Sequence, residues 1–398
     1  MSDEAADAIR VSIVTGGRFH AFHLARELAH RNVLHRLIVS DLRSRAVTAG
    51  VPGELVHPCL WGFATERIVR RLSAAGATHA APTLNRAMSW AASRELGQPT
   101  LVHGWAGYSL PSFNTAKKRG LRCVVERSSA HYLAQMELLR EEHDRVGFPF
   151  RLASWSAHPD VDEYDLADAI CVPSKFAMRT FLERGFPQEK LIYAPLGASL
   201  EHFSPGTKRD DSFRVMYAGS LSIQKGLHHL VAAFRIASLN NAELCLAGTS
   251  TAETEHLLRN SPRHVRRVGQ LNEVALADLY RQSSVFVLPS VHDGFGMVLA
   301  QALASGLPII GTRNTGAEDL LQLTGERNPT RDDNIDEYPA GYVVPIRSPG
   351  AIARVLVDLA TKPELLNSKQ QAARSARVSG LSWSDYGARV IDGYRSLQ

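Results

Sequence analysis

Short apolar runs alternate with helical stretches along the first half of the chain, and this alternation limits the folds open to it. The first apolar run, Val11–Thr15, is followed by Gly16 and Gly17 and then by a stretch with apolar residues at helix-face spacing. Further apolar runs lie at Leu37–Val39, Thr100–Val102, Arg122–Val125, Ala169–Val172 and Leu191–Tyr193. The rhythm predicts a parallel sheet covered by helices on both faces.

The same rhythm starts again after a polar segment with proline and glycine at residues 199–212. Because 398 residues exceed one ordinary core, we expect an α/β protein with two Rossmann-like, doubly wound domains facing a central cleft. The predicted units are residues 1–198, a linker at 199–212, residues 213–378, and a C-terminal helix at 379–398 that could pack back on the first domain. Predicted strands of the second domain are Arg214–Ala218, Glu243–Ala247, Val265–Val268, Val285–Leu288 and Pro308–Gly311.

The charge balance argues against nucleic acid as a partner. Lysine and arginine outnumber aspartate and glutamate by only 45 to 40, a net charge of +5. This small excess fits an acidic small-molecule ligand or an anionic membrane surface. No apolar run reaches the ~18 residues of a membrane span, and the acidic N-terminal segment is unlike a signal peptide. We therefore expect a cytoplasmic protein, with peripheral contact to the inner face of the membrane as an option.

The four cysteines form no CxxC pair, and three of them lie in strand-like runs. They are Cys59, Cys123, Cys171 and Cys245. This pattern predicts buried free thiols in a reducing compartment.

Two glycine-bearing loops follow predicted strands of the second half. In one, Asp293-Gly294-Phe295-Gly296 leads into a helix, whose free N–H groups and positive dipole end form a ready site for a diphosphate. In the other, Gly219-Ser220 precedes Lys225, which is placed to reach a phosphate. Either loop alone could be a tight turn without a ligand, but two such loops in one sheet favour phosphate contact.

These segments resemble the donor-binding half of GT-B glycosyltransferases, and specifically glycosyltransferase family 4 (glycosyl transferases group 1). Similar blocks cover most of the chain: residues 166–174, the interdomain residues 185–205, and Val268-Gly269-Gln270 with residues 287–290. The resemblance implies that His103, Asp293 and Lys225 act on the donor. It also implies donor-binding roles for a wider set: Gly17, Gly219, Ser220, Lys225, Gln270, Leu271, Asp293, Gly294, Phe295, Gly296, Met297, Val298 and Gln301.

The chain departs from the family pattern at three of these positions. Asp293 and Gln301 stand where the family has two glutamates that contact the donor sugar and ribose. Ser220 replaces a phosphate-binding arginine, so that only Lys225 of that basic pair remains. Arg127, after another predicted strand, is a candidate to supply the missing charge or to contact the acceptor. These departures bear on donor affinity and identity more than on the fold.

Other polar clusters carry weaker signals. Asp160-Val161-Asp162 resembles a metal-binding DxD motif but lacks its context, and neither His20/His23 nor His228-His229 has a partner at metal-ligand spacing. We expect no metal and no cofactor. The basic segments Arg67–Leu72 and 117–119 could support a peripheral membrane contact, although such clusters are commonly solvated helix faces.

The resemblance predicts a retaining, metal-independent hexosyltransferase. It would move a sugar from a UDP-, GDP- or similar donor to a hydroxyl of a glycan or lipid-linked acceptor, in cell-envelope or exopolysaccharide synthesis. Two alternatives stay open: a non-catalytic nucleotide-sugar-binding protein and a GT-B nucleotide-sugar epimerase. A nicotinamide dehydrogenase is disfavoured because no full GxGxxG with a following acidic residue is present.

Overall fold

The computed structural model describes residues 9–59, 89–150, 161–199, 201–328, 334–376 and 381–398. In this part of the chain the elements of the first half are β1 (Val11–Thr15), α1 (Ala21–His30), β2 (Leu34–Val39), α2 (Arg43–Thr48), β3 (Val56–Pro58), β4 (Leu101–Trp105), α3 (Leu110–Lys118), β5 (Arg122–Glu126), α4 (Tyr132–Val146), α5 (Asp162–Leu166), β6 (Ala169–Val172), α6 (Lys175–Leu182) and β7 (Leu191–Tyr193).

The elements of the second half are β8 (Phe213–Ala218), α7 (Leu227–Ala237), β9 (Ala242–Ala247), α8 (Thr254–Leu258), β10 (Val265–Gly269), α9 (Glu273–Arg281), β11 (Val285–Leu288), α10 (Met297–Ala304), β12 (Ile309–Thr312), α11 (Ala317–Gln322), β13 (Asp336–Tyr338), β14 (Gly341–Val344), α12 (Pro349–Thr361), α13 (Pro363–Ser375) and α14 (Trp383–Arg395).

Two seven-stranded sheets organise these elements. The first has the order β3-β2-β1-β4-β5-β6-β7 and is parallel throughout. The second has the order β10-β9-β8-β11-β12-β14-β13, and only the β13–β14 pair is antiparallel. The strand order of the first sheet reverses between β1 and β4, and that of the second sheet reverses between β8 and β11. The predicted α/β class with two doubly wound sheets is confirmed, whereas β3 and the β13–β14 hairpin were not predicted.

The strands are apolar runs because helices cover both faces of each sheet. Strands β1, β4, β6 and β11 are buried along their whole length.

As expected, all four cysteines are buried free thiols, and burial raises the pKa of the Cys123 thiol to about 12. None of the described helices is long and apolar enough to cross a membrane.

Helix α14 lies on the first sheet although it follows the second in sequence. It packs on α1 and β7, and its first residue, Trp383, stacks on His23 with ring centroids 4.0 Å apart. Ser382 and Asp385 form a capping box that fixes where the helix begins. Gly197 lies against the backbone of Trp383, where a Cβ would come within 2.5 Å of its nitrogen. The segment that links the sheets is therefore fastened to the start of the last helix.

We expect Trp383→Ala to lower the free energy of unfolding by about 3–5 kcal/mol, because it removes a large, 95% buried side chain from the joint between α14 and α1. Urea denaturation followed by circular dichroism measures this loss. Trp90→Ala is the matched control, since Trp90 is 54% exposed and should cost little. Equal effects of the two substitutions would contradict the docking of α14 as a stabilising contact.

Candidate donor site

The loops after β8 and β11 lie side by side at the carboxyl edge of the second sheet. The two strands pair directly, Val215 with Val285 and Met216 with Phe286, at the point where the strand order reverses. In doubly wound sheets, ligands bind at this position. The backbone N–H of Val291 donates to the carbonyl of Gln224 at 3.0 Å, which ties one loop to the other. The sheet topology thus brings the two glycine-bearing motifs together.

Lys225 and Asp293 form an ion pair between these loops. The lysine Nζ lies 2.5 Å from Oδ2 of Asp293, and the side chains are 22% and 15% exposed. The Lys225 ammonium group is fixed between the two loops and is still partly exposed to solvent. It is therefore suited to bind an anionic ligand. The nearby Gly226 has φ +68°, and a Cβ there would lie 2.0 Å from the carbonyl oxygen of Pro289. Glycine is needed at this position for both reasons.

The loop that carries Lys225 is fixed by the segment after β9. The N–H of Ile223 donates to Glu253 Oε2 at 2.6 Å. The hydroxyls of Thr251 and Thr254 both donate to the carbonyl of Leu221, at 2.9 and 2.8 Å. These bonds preorganise the loop.

Gly219 and Ser220 begin this loop. Gly219 has φ +147°, and the carbonyl of Ser220 accepts a hydrogen bond from Tyr217 Oη at 2.6 Å. The Ser220 hydroxyl lies 3.2 Å from that of Ser222. Ser220 therefore offers a hydroxyl, and no charge, at the position where the family pattern has an arginine.

The second loop passes into α10 through Gly296, which has φ +78°. Phe295 is buried and anchors the turn, while Met297 and Val298 of the first helical turn are half-buried. The first N–H groups of a helix lack partners within it and carry partial positive charge. Helix α10 thus points an anion-binding end at the same edge as Lys225.

Gly294 is the point where this loop meets the first domain. A Cβ at Gly294 would come within 2.0 Å of the carbonyl oxygen of Ser128, and the Gly294 carbonyl accepts from Ser174 Oγ at 2.7 Å. Ser129 Oγ lies 3.0 Å from Nε2 of His292. The carboxyl edges of the two sheets therefore face each other and touch at the predicted cleft.

The remaining predicted donor residues lie on the second domain beside these loops. Gln301 of α10 has its Oε1 3.4 Å from the hydroxyl of Tyr280. Gln270 is exposed and Leu271 half-buried in the turn after β10. The N–H of Gly248 donates to the carbonyl of Gly269 at 2.8 Å, so this turn adjoins the loop after β9. The structure thus gathers the residues predicted for the second domain along one edge of its sheet.

His103 does not face the cleft, contrary to the sequence-based expectation. Strand β4 continues to Trp105, so His103 lies inside the strand and its side chain points to the face covered by α1 and α14. It is fully buried, with Nδ1 2.7 Å from Tyr394 Oη and Nε2 3.3 Å from Glu126 Oε2. The structure therefore assigns His103 a place in the packing of α14, away from the candidate donor site.

Glu126 is the centre of this buried cluster, which sequence reasoning missed. Its carboxylate lies 2.9 Å from His20 Nε2 and accepts from Tyr386 Oη at 3.2 Å. Burial alone would raise the pKa of this carboxyl, but the imidazoles of His20 and His103 outweigh burial and hold the pKa at about 2. The ionised group thus joins α1, β4 and α14, directly before the residues that touch Gly294. The signal for this cluster in the sequence was an acidic residue, Glu126, at the end of an apolar strand.

Arg127 and Gly17 are placed in the loops of the first domain. Arg127 donates through Nε to the carbonyl of Ala130 at 2.8 Å and through Nη2 to Gln135 at 2.6 Å. These two bonds brace its own loop, and a contact of Arg127 with the phosphates or the acceptor stays a prediction. Gly17 lies beside Phe19 in the loop after β1.

His292 was not predicted from the sequence. It is buried next to Asp293, and burial lowers its pKa to about 3.

The acidic segment, the basic segments and the histidine pair with weaker signals lie in different parts of the chain. Asp160 and the segment Arg67–Leu72 lie outside the described residues, and Asp162 is exposed on α5. In the segment 117–119, Lys117 pairs with Asp168 at 2.7 Å, which neutralises part of that basic cluster. The expectation that His228 and His229 lack a partner is wrong, because Glu142 of α4 contacts both.

The second domain is similar to known glycosyltransferases. Residues 199–376 match the family model described as Glycosyl transferases group 1, and this segment contains both loops of the site. An uncharacterized glycosyltransferase (MJ1607) of Methanocaldococcus jannaschii is 26% identical over 196 residues, which cover 47% of this chain and 46% of that protein. The chain spans about half the length of the curated relatives it matches. Most of the second domain is therefore similar to the glycosyl transferases group 1 family.

Solved structures share the fold of the whole chain. Sucrose-phosphate synthase from Thermosynechococcus elongatus has a TM-score of 0.64 at 19% identity, over 98% of this chain and 99% of that one. The Anabaena protein HepE, solved with UDP and glucose, has a TM-score of 0.63 at 12% identity, over 98% and 100%. The fold is GT-B, in which two Rossmann-like domains face each other.

We expect Gly226→Ala to destabilise the protein more than Gly185→Ala. Both glycines have positive φ, +68° and +82°, but only Gly226 lacks room for a Cβ; nothing lies within 4 Å of one at Gly185. The shared backbone strain is about 1 kcal/mol, and the clash with Pro289 adds to it. Thermal unfolding compares the variants, and equal losses would show that the loop can shift away from Pro289.

Glu126→Gln should lower the free energy of unfolding by about 3–5 kcal/mol near neutral pH, because it removes the charge of a buried, hydrogen-bonded pair. The folded pKa of about 2 lies below the ordinary value of 4.5. The stability that the ionised group supplies is therefore present above that value and is lost as pH falls towards 2. Urea denaturation of both proteins at a series of pH values should show the difference shrinking in acid. A difference that is constant with pH would contradict the role of charge.

Proposed function

We propose that this protein is a retaining glycosyltransferase that moves a sugar from a nucleoside diphosphate to an acceptor hydroxyl. The observation that carries the proposal is the ion pair of Lys225 with Asp293. It lies where the strand order of the second sheet reverses, between two glycine-bearing loops and the start of α10. A cation and a helix N-terminus suit the diphosphate, and a carboxylate suits sugar hydroxyls. The match of the same segment to the model of the glycosyl transferases group 1 supports this chemistry.

Lys225 and α10 would stabilise the leaving diphosphate. Charge separates during the transfer, because the sugar becomes oxocarbenium-like while the diphosphate departs with its bonding electrons. The acceptor hydroxyl would attack the same face of the sugar and pass its proton to the leaving phosphate oxygen. Fixed donors aimed at developing negative charge are effective because they need no reorganisation. The loop anchors at Glu253 and Thr254 hold Lys225 in place for this role. Since this positive charge comes from the protein, the proposal requires no metal at the donor.

Donor binding would change the partner of Lys225. The lysine now pairs with Asp293, and the incoming phosphate would take over the ammonium group. Asp293 would then be free to accept hydrogen bonds from the sugar hydroxyls. Gln301 would bind the ribose as a neutral amide, with Gln270 and Leu271 nearer to the base. Ser220 could donate one hydrogen bond to the diphosphate in place of the arginine of the family pattern.

The first domain would hold the acceptor, in the loops that follow β1, β4 and β5. Gly16 lies against the ring of Tyr108, where a Cβ would come within 2.0 Å of a ring carbon, so these loops form one wall. The acceptor would be a glycan or a lipid-linked sugar of the cell envelope, reached from the cytoplasmic side. The UDP and glucose bound to HepE support a nucleoside diphosphate sugar as the donor class.

The departures at Ser220 and Gln301 favour one alternative, a protein that binds nucleotide sugar without transferring it. Such a protein would retain the Lys225-dependent donor site but release no nucleoside diphosphate. Donor binding and turnover therefore have to be measured separately.

Purified protein should gain thermal stability with one member of a panel of UDP-, GDP-, ADP- and dTDP-sugars, because a ligand that binds the folded state stabilises it. Lys225→Ala should abolish that gain and lower transfer by about 10²–10³-fold, since it removes one preorganised charge-stabilising donor. Lys362→Ala is the control, because Lys362 pairs with Asp358 on the exposed face of α12.

The outcomes separate the candidate functions. Stabilisation that depends on Lys225, together with release of nucleoside diphosphate in the presence of acceptor, supports the transferase. Stabilisation without any turnover supports the binding protein. Equal behaviour of Lys225→Ala and the unsubstituted protein would overturn the assignment of the donor site.

A further inference from the structure

Three side chains from two domains meet at the junction of α4 with the start of α7. Oε1 of Glu142 lies 2.8 Å from Nε2 of His228 and 2.8 Å from Nε2 of His229. The Glu142 side chain is 1% exposed, whereas the imidazoles are 19% and 14% exposed. Glu142 comes from the first domain and both histidines from the second, so the cluster bridges the domain interface.

The three groups have the chemistry and spacing of a transition-metal site. Their ligand atoms all lie within 4.8 Å of one another. Two imidazole nitrogens and one carboxylate oxygen form a ligand set that proteins use for Zn²⁺, with a fourth position left for water or another ligand. We propose that Glu142, His228 and His229 form a Zn²⁺-binding site that joins the two domains.

Arg347 supports this site. Its Nε donates to Oε2 of Glu142 at 2.5 Å, which fixes the carboxylate and leaves Oε1 directed at the histidines. Ligating carboxylates are commonly oriented by such an outer hydrogen bond. Arg347 also pairs with Glu141 at 3.0 Å, so two carboxylates face one guanidinium. The positive charge of Arg347 is therefore shared between two carboxylates and does not act on Glu142 alone.

The surroundings also set the expected affinity and selectivity. Ligation through Nε2 places the His228 proton on Nδ1, which is buried without a hydrogen-bond partner among the described residues. Loss of such an outer partner typically weakens metal binding by about 10–100-fold. We therefore expect a site that binds Zn²⁺ more weakly than a closed structural site does. Mg²⁺ and Ca²⁺ prefer oxygen ligands and should not compete.

A bound metal would hold the two domains in this arrangement. His228 is three residues beyond Lys225, and α7 begins at Leu227 directly after the donor loop. Glu142 lies on α4, which follows the loop that touches Gly294. A link between these helices would favour the form in which the loops of the two domains are in contact. This consequence concerns domain arrangement and does not depend on the reaction proposed above.

The test uses the full chain after treatment with a chelator and its removal. Titration with ZnCl₂ in a calorimeter should show one site per chain, and MgCl₂ and CaCl₂ should give no heat of binding. His228→Gln and His229→Gln should each weaken Zn²⁺ binding by at least about 10-fold. His264→Gln is the matched control, since His264 is exposed and outside the cluster.

Glu142→Gln provides a second variant of nearly the same shape in case a histidine variant folds poorly. It retains an oxygen towards the histidines but removes the charge, so it should also weaken Zn²⁺ binding. A thermal shift with ZnCl₂ in the unsubstituted protein and in His264→Gln, absent in Glu142→Gln, supports the site. The proposal is overturned if Zn²⁺ does not bind, or if its binding is unchanged in all three cluster variants; the cluster is then only a hydrogen-bonded domain contact.

Discussion

Direct pairing of β8 with β11 is the constraint on which the candidate donor site depends. Strands that are 70 residues apart in sequence become neighbours, and the loops that follow them share one edge of the sheet. The ion pair of Lys225 with Asp293, the backbone bond between Val291 and Gln224, and the tight contact of Gly226 with Pro289 all result from this pairing. A right-handed crossover between parallel strands puts helices on the faces and leaves this edge open to a ligand.

The two domains are held together by contacts of different kinds. At the cleft, Gly294 allows backbone to approach backbone at Ser128. On the far side, α14 packs on the first sheet, and its tyrosines contact Glu126 and His103. At the side of the cleft, Glu142 joins α4 to α7 and Arg347. Glu126 directly precedes the loop that meets Gly294. The contacts of the last helix with Glu126 therefore lie next to the loop that forms part of the cleft.

Sequence patterns were most reliable where local physics decides the structure. Buried parallel strands require unbroken apolar runs, so their order along the chain and the two-sheet architecture could be predicted. The glycine loops could be placed because positive φ and close backbone approach favour glycine, as at Gly226 and Gly296. The hairpin of β13 and β14 was missed because β13 is the polar segment Asp336–Tyr338, which lacks the apolar run that marked the other strands.

His103 shows where sequence patterns failed. The predicted end of β4 lay three residues too early, and in a strand the side-chain direction depends on the register that the sheet imposes. Its partners, Glu126 and Tyr394, are 23 and 291 residues away, so their contacts carried no local signal. The same is true of Glu142, 86 residues before His228.

The sequence by itself determined the repeated α/β rhythm and the glycine-bearing loops, since each follows from burial or backbone geometry within a few residues. Only the tertiary structure decided which polar side chains meet. It paired Lys225 with Asp293, turned His103 away from the cleft and gave His228 and His229 a carboxylate partner. Ion pairs between distant residues depend on strand order, helix packing and domain contact, which no short stretch of sequence encodes.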